Sequence, residues 1–91
     1  MALYAVMITF GDKKLRDGVR AEHRVFLQDQ IDKGVLVESG PWLDDSGALL
    51  VYEAESEDAL RELLAQDPYW QNSGIVGTEM VKEWNRIFSR S

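Results

Sequence analysis

The run Val19-Arg20-Ala21-Glu22-His23-Arg24-Val25-Phe26-Leu27-Gln28-Asp29-Gln30-Ile31 decides how the chain folds. Stepped at about 100° per residue, it is a helix with one apolar arc. With Val19 at zero, Phe26 falls at about −20°, Leu27 at about 80° and Ile31 at about 120°. His23 falls at about 40°, inside the arc, so the only histidine is expected to point inward. An inward histidine is either a core residue bonded to a carbonyl or a titratable group tuned by its surroundings. The helix by itself leaves both readings open.

Upstream, residues 3–10 (LYAVMITF) are apolar at almost every position. That predicts a strand buried on both faces, with Tyr4, Val6, Ile8 and Phe10 on one and Leu3, Ala5 and Met7 on the other. Residues 11–18, bounded by glycines, read as a polar loop. The helix is expected to stop at Lys33-Gly34. Downstream, residues 35–39 begin a second strand, Gly40-Pro41 should interrupt its ladder, and Trp42-Leu43 should resume it. Residues 44–47 (DDSG) have hairpin-turn composition, and residues 48–54 form the third strand. Ser56 is a candidate N-cap for a helix to about Gln66. Its inward stripe is Leu60, Leu63, Leu64 and then Asp67, at i, i+3, i+4 and i+7. Pro68 ends the helix, residues 69–74 form a loop, and residues 75–88 form a last, long strand.

The order strand, helix, strand, strand, helix, strand predicts an α+β fold: a ferredoxin-like βαββαβ sandwich with both helices on one face of an antiparallel sheet. The other face carries large apolar groups on strands one and three and at Met80, Trp84 and Phe88. A monomer would leave that face wet, so a homodimer through the open sheet face is expected. With 91 residues, the chain is read as one domain, residues 1–91.

Bulk properties narrow the partners. Sixteen acidic against ten basic residues give a net charge of −6. That argues against nucleic acid and against anionic membrane surfaces. No apolar run approaches the roughly 20 residues that span a bilayer, and the first ten residues lack a basic leader pattern. A cytoplasmic protein is expected. One histidine and no cysteine predict no zinc or iron site. No glycine-rich phosphate loop is present, so no cofactor is expected.

Following strand directions, one end of the sheet collects the end of strand one, the Gly40-Pro41-Trp42 segment, the 44–47 turn and the end of helix two. His23, placed in the first turns of helix one, and Asp67 both face inward at that end, beside Phe10 and Pro41. A carboxylate beside an imidazole fixes its tautomer and strengthens it as a base. A purely structural His–Asp pair is the other reading. Arg20 either binds an anion or lies solvated at the edge of the arc. Tyr69 and Trp70 either wall a pocket or cap the helix end. Asp44 is read as a turn residue.

In Arg20-x-x-His23, Leu27, Gly34, Gly40-Pro41, the Asp44 to Gly47 turn, and Asp67-Pro68-Tyr69 followed by Gly74, the chain resembles the YCII family. These matches run through nearly the whole sequence in order. The resemblance implies a dimeric α+β barrel and carries that family's presumed His–Asp active site onto His23 and Asp67. One branch is a dehydrochlorinase acting on a chlorinated trihydroxybenzene, and the muconolactone isomerases share the barrel. Trp70 after Asp-Pro-Tyr departs from the family pattern and is expected to narrow the pocket.

Two functional readings follow. In the first, the chain is a cofactor-free lyase or isomerase for a small-molecule substrate of aromatic degradation. His23 is general base and Asp67 orients it. Backbone N–H groups near Gly40, or Arg20, steady the developing oxyanion; Pro41, Tyr69, Trp70 and Phe10 bind the ring. In the second, the chain is a non-catalytic small-ligand binder or accessory protein.

Overall fold

The computed structural model describes residues 1–90. Its elements are β1 (Ala2–Phe10), α1 (Lys13–Asp32), β2 (Leu36–Pro41), β3 (Gly47–Ala54), α2 (Glu57–Leu64), α3 (Pro68–Gln71) and β4 (Val76–Trp84). The four strands form one antiparallel sheet in the order β2-β3-β1-β4. This is the expected ferredoxin-like α+β arrangement. Central β1 pairs Val6 with Leu50 on one side and with Val81 on the other.

Side-chain alternation sorts the sheet into two faces. Tyr4, Val6 and Ile8 of β1 and Leu50 and Tyr52 of β3 are buried under the helices. Leu60 and Leu64 of α2 complete this core. The opposite face carries Leu3, Ala5 and Met7, all half-buried, with Leu49 and Met80 level with Met7 and Trp84 level with Leu3. Among the described residues, no helix is long and apolar enough to cross a membrane.

The structure moves several predicted boundaries. Helix α1 begins at Lys13, so residues 13–18 are helix and Gly18 lies inside it. The Asp12 side chain accepts the amides of Lys14 and Leu15 at 2.9 and 3.1 Å, supplying the N-cap that starts the helix early. The longer helix also corrects the wheel. Its fully buried residues are Arg16 and Gln30, while Ile31 is exposed. Strand β2 runs through Gly40 to Pro41 without a break, since an edge strand tolerates a missing N–H. Its irregularity comes earlier, between Leu36 and Glu38. Trp42 and Leu43 belong to the turn: the Trp42 amide donates to Gly47 and the Trp42 carbonyl accepts from Asp45. Strand β4 ends at Trp84, leaving Phe88 outside it.

The largest correction concerns the predicted 69–74 loop. Residues 68–71 form a one-turn helix, α3, and Asp67 is its N-cap rather than the last inward residue of α2. Pro68 at the first helical position suits this start, because its absent N–H would have no helical acceptor. Glycine is required where β1 turns into α1. The Gly11 amide donates to Ile75 at 2.7 Å, and a Cβ there would meet the Gly74 carbonyl oxygen. That approach ties the start of α1 to the segment between α3 and β4.

Candidate active site

Asp67 is fully buried, with 0 % of its surface exposed. A buried carboxylate needs partners. Its Oδ1 has two: the Tyr69 amide donates at 2.9 Å and His23 Nδ1 lies at 2.7 Å. Oδ1 already accepts the amide, and an ionised carboxylate can only accept. His23 Nδ1 therefore carries a proton and donates it, which leaves Nε2 as the free ring nitrogen. His23 sits in the middle of α1 rather than in its first turns, because α1 starts at Lys13. Asp67 reaches it there because α3 packs across α1.

The imidazole is held by more than its hydrogen bond. The Tyr69 ring lies flat on it, with centroids 3.6 Å apart and planes within 4°. Tyr69 in turn meets Phe10 edge-on at 6.2 Å. Beyond Phe10 the Arg16 guanidinium lies over the ring, 4.0 Å from its centroid. Arg16 Nη2 donates to Asp45 of the β2–β3 turn. A continuous chain of contacts thus runs from Asp67 through His23, Tyr69, Phe10 and Arg16 to Asp45.

This chain borders a cavity of about 400 Å³ between α1 and the β2–β3 side of the sheet. That volume suits a small ring. Ile8, Ala48 and Leu50 form an apolar floor, and β2 contributes Ser39, Gly40 and Pro41. Helix α1 presents His23 between Arg20 and Arg24, with Arg16 one turn before Arg20. A chain of net charge −6 therefore places three guanidinium groups around one cavity. Arg20 is half-exposed and pairs with Asp17 at 2.9 Å. Asp17 is itself held below the usual carboxylate range, first by the Lys13 side chain at 3.0 Å and then by the charges of Lys13, Arg20 and Arg16.

Of the residues singled out from sequence, His23, Asp67, Arg20, Gly40, Pro41, Tyr69 and Phe10 come together at or against this cavity. Trp70 does not. Its ring turns away, its Nε1 donates to Thr78 on β4 at 3.1 Å, and it does not narrow the pocket. Consecutive residues of one helical turn point about 100° apart, so Tyr69 and Trp70 cannot share a wall. The Gly40 amide is not turned to the cavity either. The Trp42 amide bonds Gly47, and antiparallel alternation two residues earlier aims Gly40 at Leu49. Among the lining residues, Arg16, Arg20 and Arg24 carry guanidinium donors and Ser39 a hydroxyl donor.

Arg16 and Arg24 escaped the sequence reading. Arg16 falls at about 60° on the helical wheel, inside the apolar arc, once the helix is known to begin at Lys13. The spacing Arg16, Arg20, Arg24 at i, i+4 and i+8 was a legible signal of one basic helix edge. Asp44 keeps its turn role: it accepts the Ser46 hydroxyl at 2.7 Å and amide at 3.0 Å, which hold its carboxyl below the ordinary range. Tyr52, fully buried beneath the site, is pushed upward, first by burial and then by the charge of Asp67.

Residues 2–85 match the family described as the YCII-related domain. Among solved structures, the chain is similar to the 5-chloro-2-hydroxyhydroquinone dehydrochlorinase of Burkholderia phenoliruptrix, determined in complex with 2,5-dihydroxybenzoquinone. The TM-score is 0.75 at 26% sequence identity, over 91% of this chain and 93% of that one. No curated protein matches. The expected family, and the expected likeness to its dehydrochlorinase branch, are both met.

Proposed function

The chain belongs to the YCII-related domain family, and on that premise we propose that it is a lyase that needs no cofactor and eliminates chloride from a chlorinated hydroxyquinol-type ring. One observation carries this reading: a buried carboxylate engages one nitrogen of an imidazole, and the imidazole borders a ring-sized cavity edged with arginines. The fold likeness to a dehydrochlorinase supports it.

In this mechanism His23 Nε2 accepts a proton from a ring hydroxyl, with Asp67 orienting the imidazole and balancing the charge it gains. Arg20 and Arg24 steady the resulting phenolate. The proton that His23 took is then delivered to the chlorine-bearing carbon, which becomes tetrahedral. A second hydroxyl then loses its proton, its electron pair forms a carbonyl, the C–Cl bond breaks, and chloride leaves with the bonding pair. The products are a hydroxybenzoquinone, chloride and one proton. Oxidation of the two ring carbons that become carbonyls is balanced by reduction of the carbon that exchanges chlorine for hydrogen, so no outside oxidant enters.

The face bearing half-buried Leu3, Met7, Leu49 and Met80 and exposed Trp84 supports a homodimer joined sheet to sheet. The test of function is release of chloride from anaerobic 5-chloro-2-hydroxyhydroquinone by the wild-type chain, with muconolactone as the comparison substrate. Stoichiometric chloride and quinone support the lyase. Turnover of the lactone alone assigns an isomerase instead, and tight binding without product assigns a ligand carrier.

A further inference from the structure

Arg16 is 3 % exposed, yet among the described residues only one of its donor nitrogens has a partner. Nη2 donates to Asp45, while Nε and Nη1 are buried with none. A guanidinium in a low-dielectric site carries a large desolvation cost unless its donors are met. Phe10 beneath it offers only a ring face. Arg16 also lines the cavity, and a guanidinium with two unmet donors there is a natural partner for an acceptor that enters it.

The residue that aims Arg16 is also unusual. Asp45 has φ +60, a left-handed conformation disfavoured for a residue with a Cβ. The turn holds it there: the Asp45 amide donates to Trp42, and Asp44 accepts twice from Ser46. A strained turn thus presents a half-exposed carboxylate to a buried cation. Arg16 and His23 are seven residues apart on α1, which is roughly 10 Å along the axis and nearly the same azimuth. A benzenoid ring with para oxygens about 5.5 Å apart, plus a hydrogen bond of about 2.8 Å at each end, spans about 11 Å.

We propose that Arg16 is a ligand-binding residue that takes the ionised oxygen remote from His23, so that the cavity selects a planar ring bearing two oxygens across it, at least one of them anionic. Asp45 is the positioning residue for that guanidinium. This rests on reading the cavity as the ligand site, and it deepens that reading by assigning the far end of the substrate.

The probes are 2,5-dihydroxybenzoquinone, an anion at neutral pH, and neutral hydroquinone. Both are titrated into wild type, Arg16→Gln and Asp45→Asn, with thermal melting as the control for folding. Arg16→Gln is expected to lose at least about 10-fold in affinity for the anion, the scale of one charge-assisted hydrogen bond. Its affinity for hydroquinone should stay within about threefold, and Asp45→Asn should show the same selectivity more weakly. Retained anion affinity in Arg16→Gln, equal loss for both probes, or no anion binding by wild type overturns the proposal. If Arg16→Gln does not fold, Asp45→Asn decides: selective loss supports the assignment and unchanged affinity overturns it. Chloride release is read separately. Arg16-dependent anion binding without chloride release leaves this inference standing and removes the lyase.

Discussion

Tyr69 lies flat against the imidazole of His23, 3.6 Å between centroids, and its own backbone amide donates to the carboxylate that His23 also engages. One residue therefore fixes the plane of the imidazole from above and holds its partner from the side. Replacing Tyr69 by Phe keeps both functions and is expected to leave turnover within a few-fold. Replacing it by Ala keeps the amide but frees the ring. Stacking of this kind is worth about 0.5–1.5 kcal/mol, so kcat for Tyr69→Ala should fall by roughly threefold to tenfold. Steady-state kinetics on the two variants checks this.

Asp67 serves two structures at once, capping α3 and orienting His23. Asn in its place keeps an oxygen for the Tyr69 amide but offers the imidazole a neutral amide. Asp67→Asn should therefore keep most of its fold stability while losing turnover. Asp67→Ala additionally removes the cap, at a further cost of about 1 kcal/mol. Urea denaturation of both variants separates the two roles; equal stability would remove the cap from the account.

Most of the fold was legible in sequence because local chemistry and global pattern agree. The two-faced β1 run, Ser56 at the start of α2 and the Asp44 turn each have one structural solution, and each is found there. Where structure and pattern part, a residue type has left its commonest role. Gly18 looks like the edge of a loop, but Asp12 caps the helix six residues earlier. Pro41 looks like a break, but on an edge strand no ladder bond is lost. Asp67 looks like the tail of one helix, while Pro68 after it marks the start of another. His23 and Asp67 still meet, because α3, which Asp67 caps, packs against α1. Arg16 was hidden because a buried arginine is unexpected until its carboxylate and aromatic partners, 29 residues downstream and 6 upstream, are in place.

Tyr52 makes the fold sensitive to alkali. Its phenol is raised above the ordinary range by burial and by Asp67. The folded chain thus retains a proton that the unfolded chain releases near pH 10. Its contribution is fully present below that pH and is lost as the pH rises through it toward the folded value. Urea midpoints measured between pH 8 and pH 11 should fall, and fall less steeply in Tyr52→Phe. At neutral pH that variant should differ from wild type by no more than about 1 kcal/mol, since the hydroxyl has no partner among the described residues.

The open sheet face gives a test of assembly. Met7 lies in its centre, level with Leu49 and Met80. Met7→Glu places a charge in the proposed interface without touching the helix-facing core. Sedimentation should show a wild-type dimer and a folded Met7→Glu monomer; a wild-type monomer at micromolar concentration contradicts the dimer.

The central claim is that the free nitrogen of a carboxylate-held imidazole moves the proton. Its most direct test is the rate of chloride release from 5-chloro-2-hydroxyhydroquinone by wild type and by folded His23→Ala. Wild type should release chloride, and the variant should be slower by about 10²- to 10⁴-fold. Release at an undiminished rate from His23→Ala would contradict it.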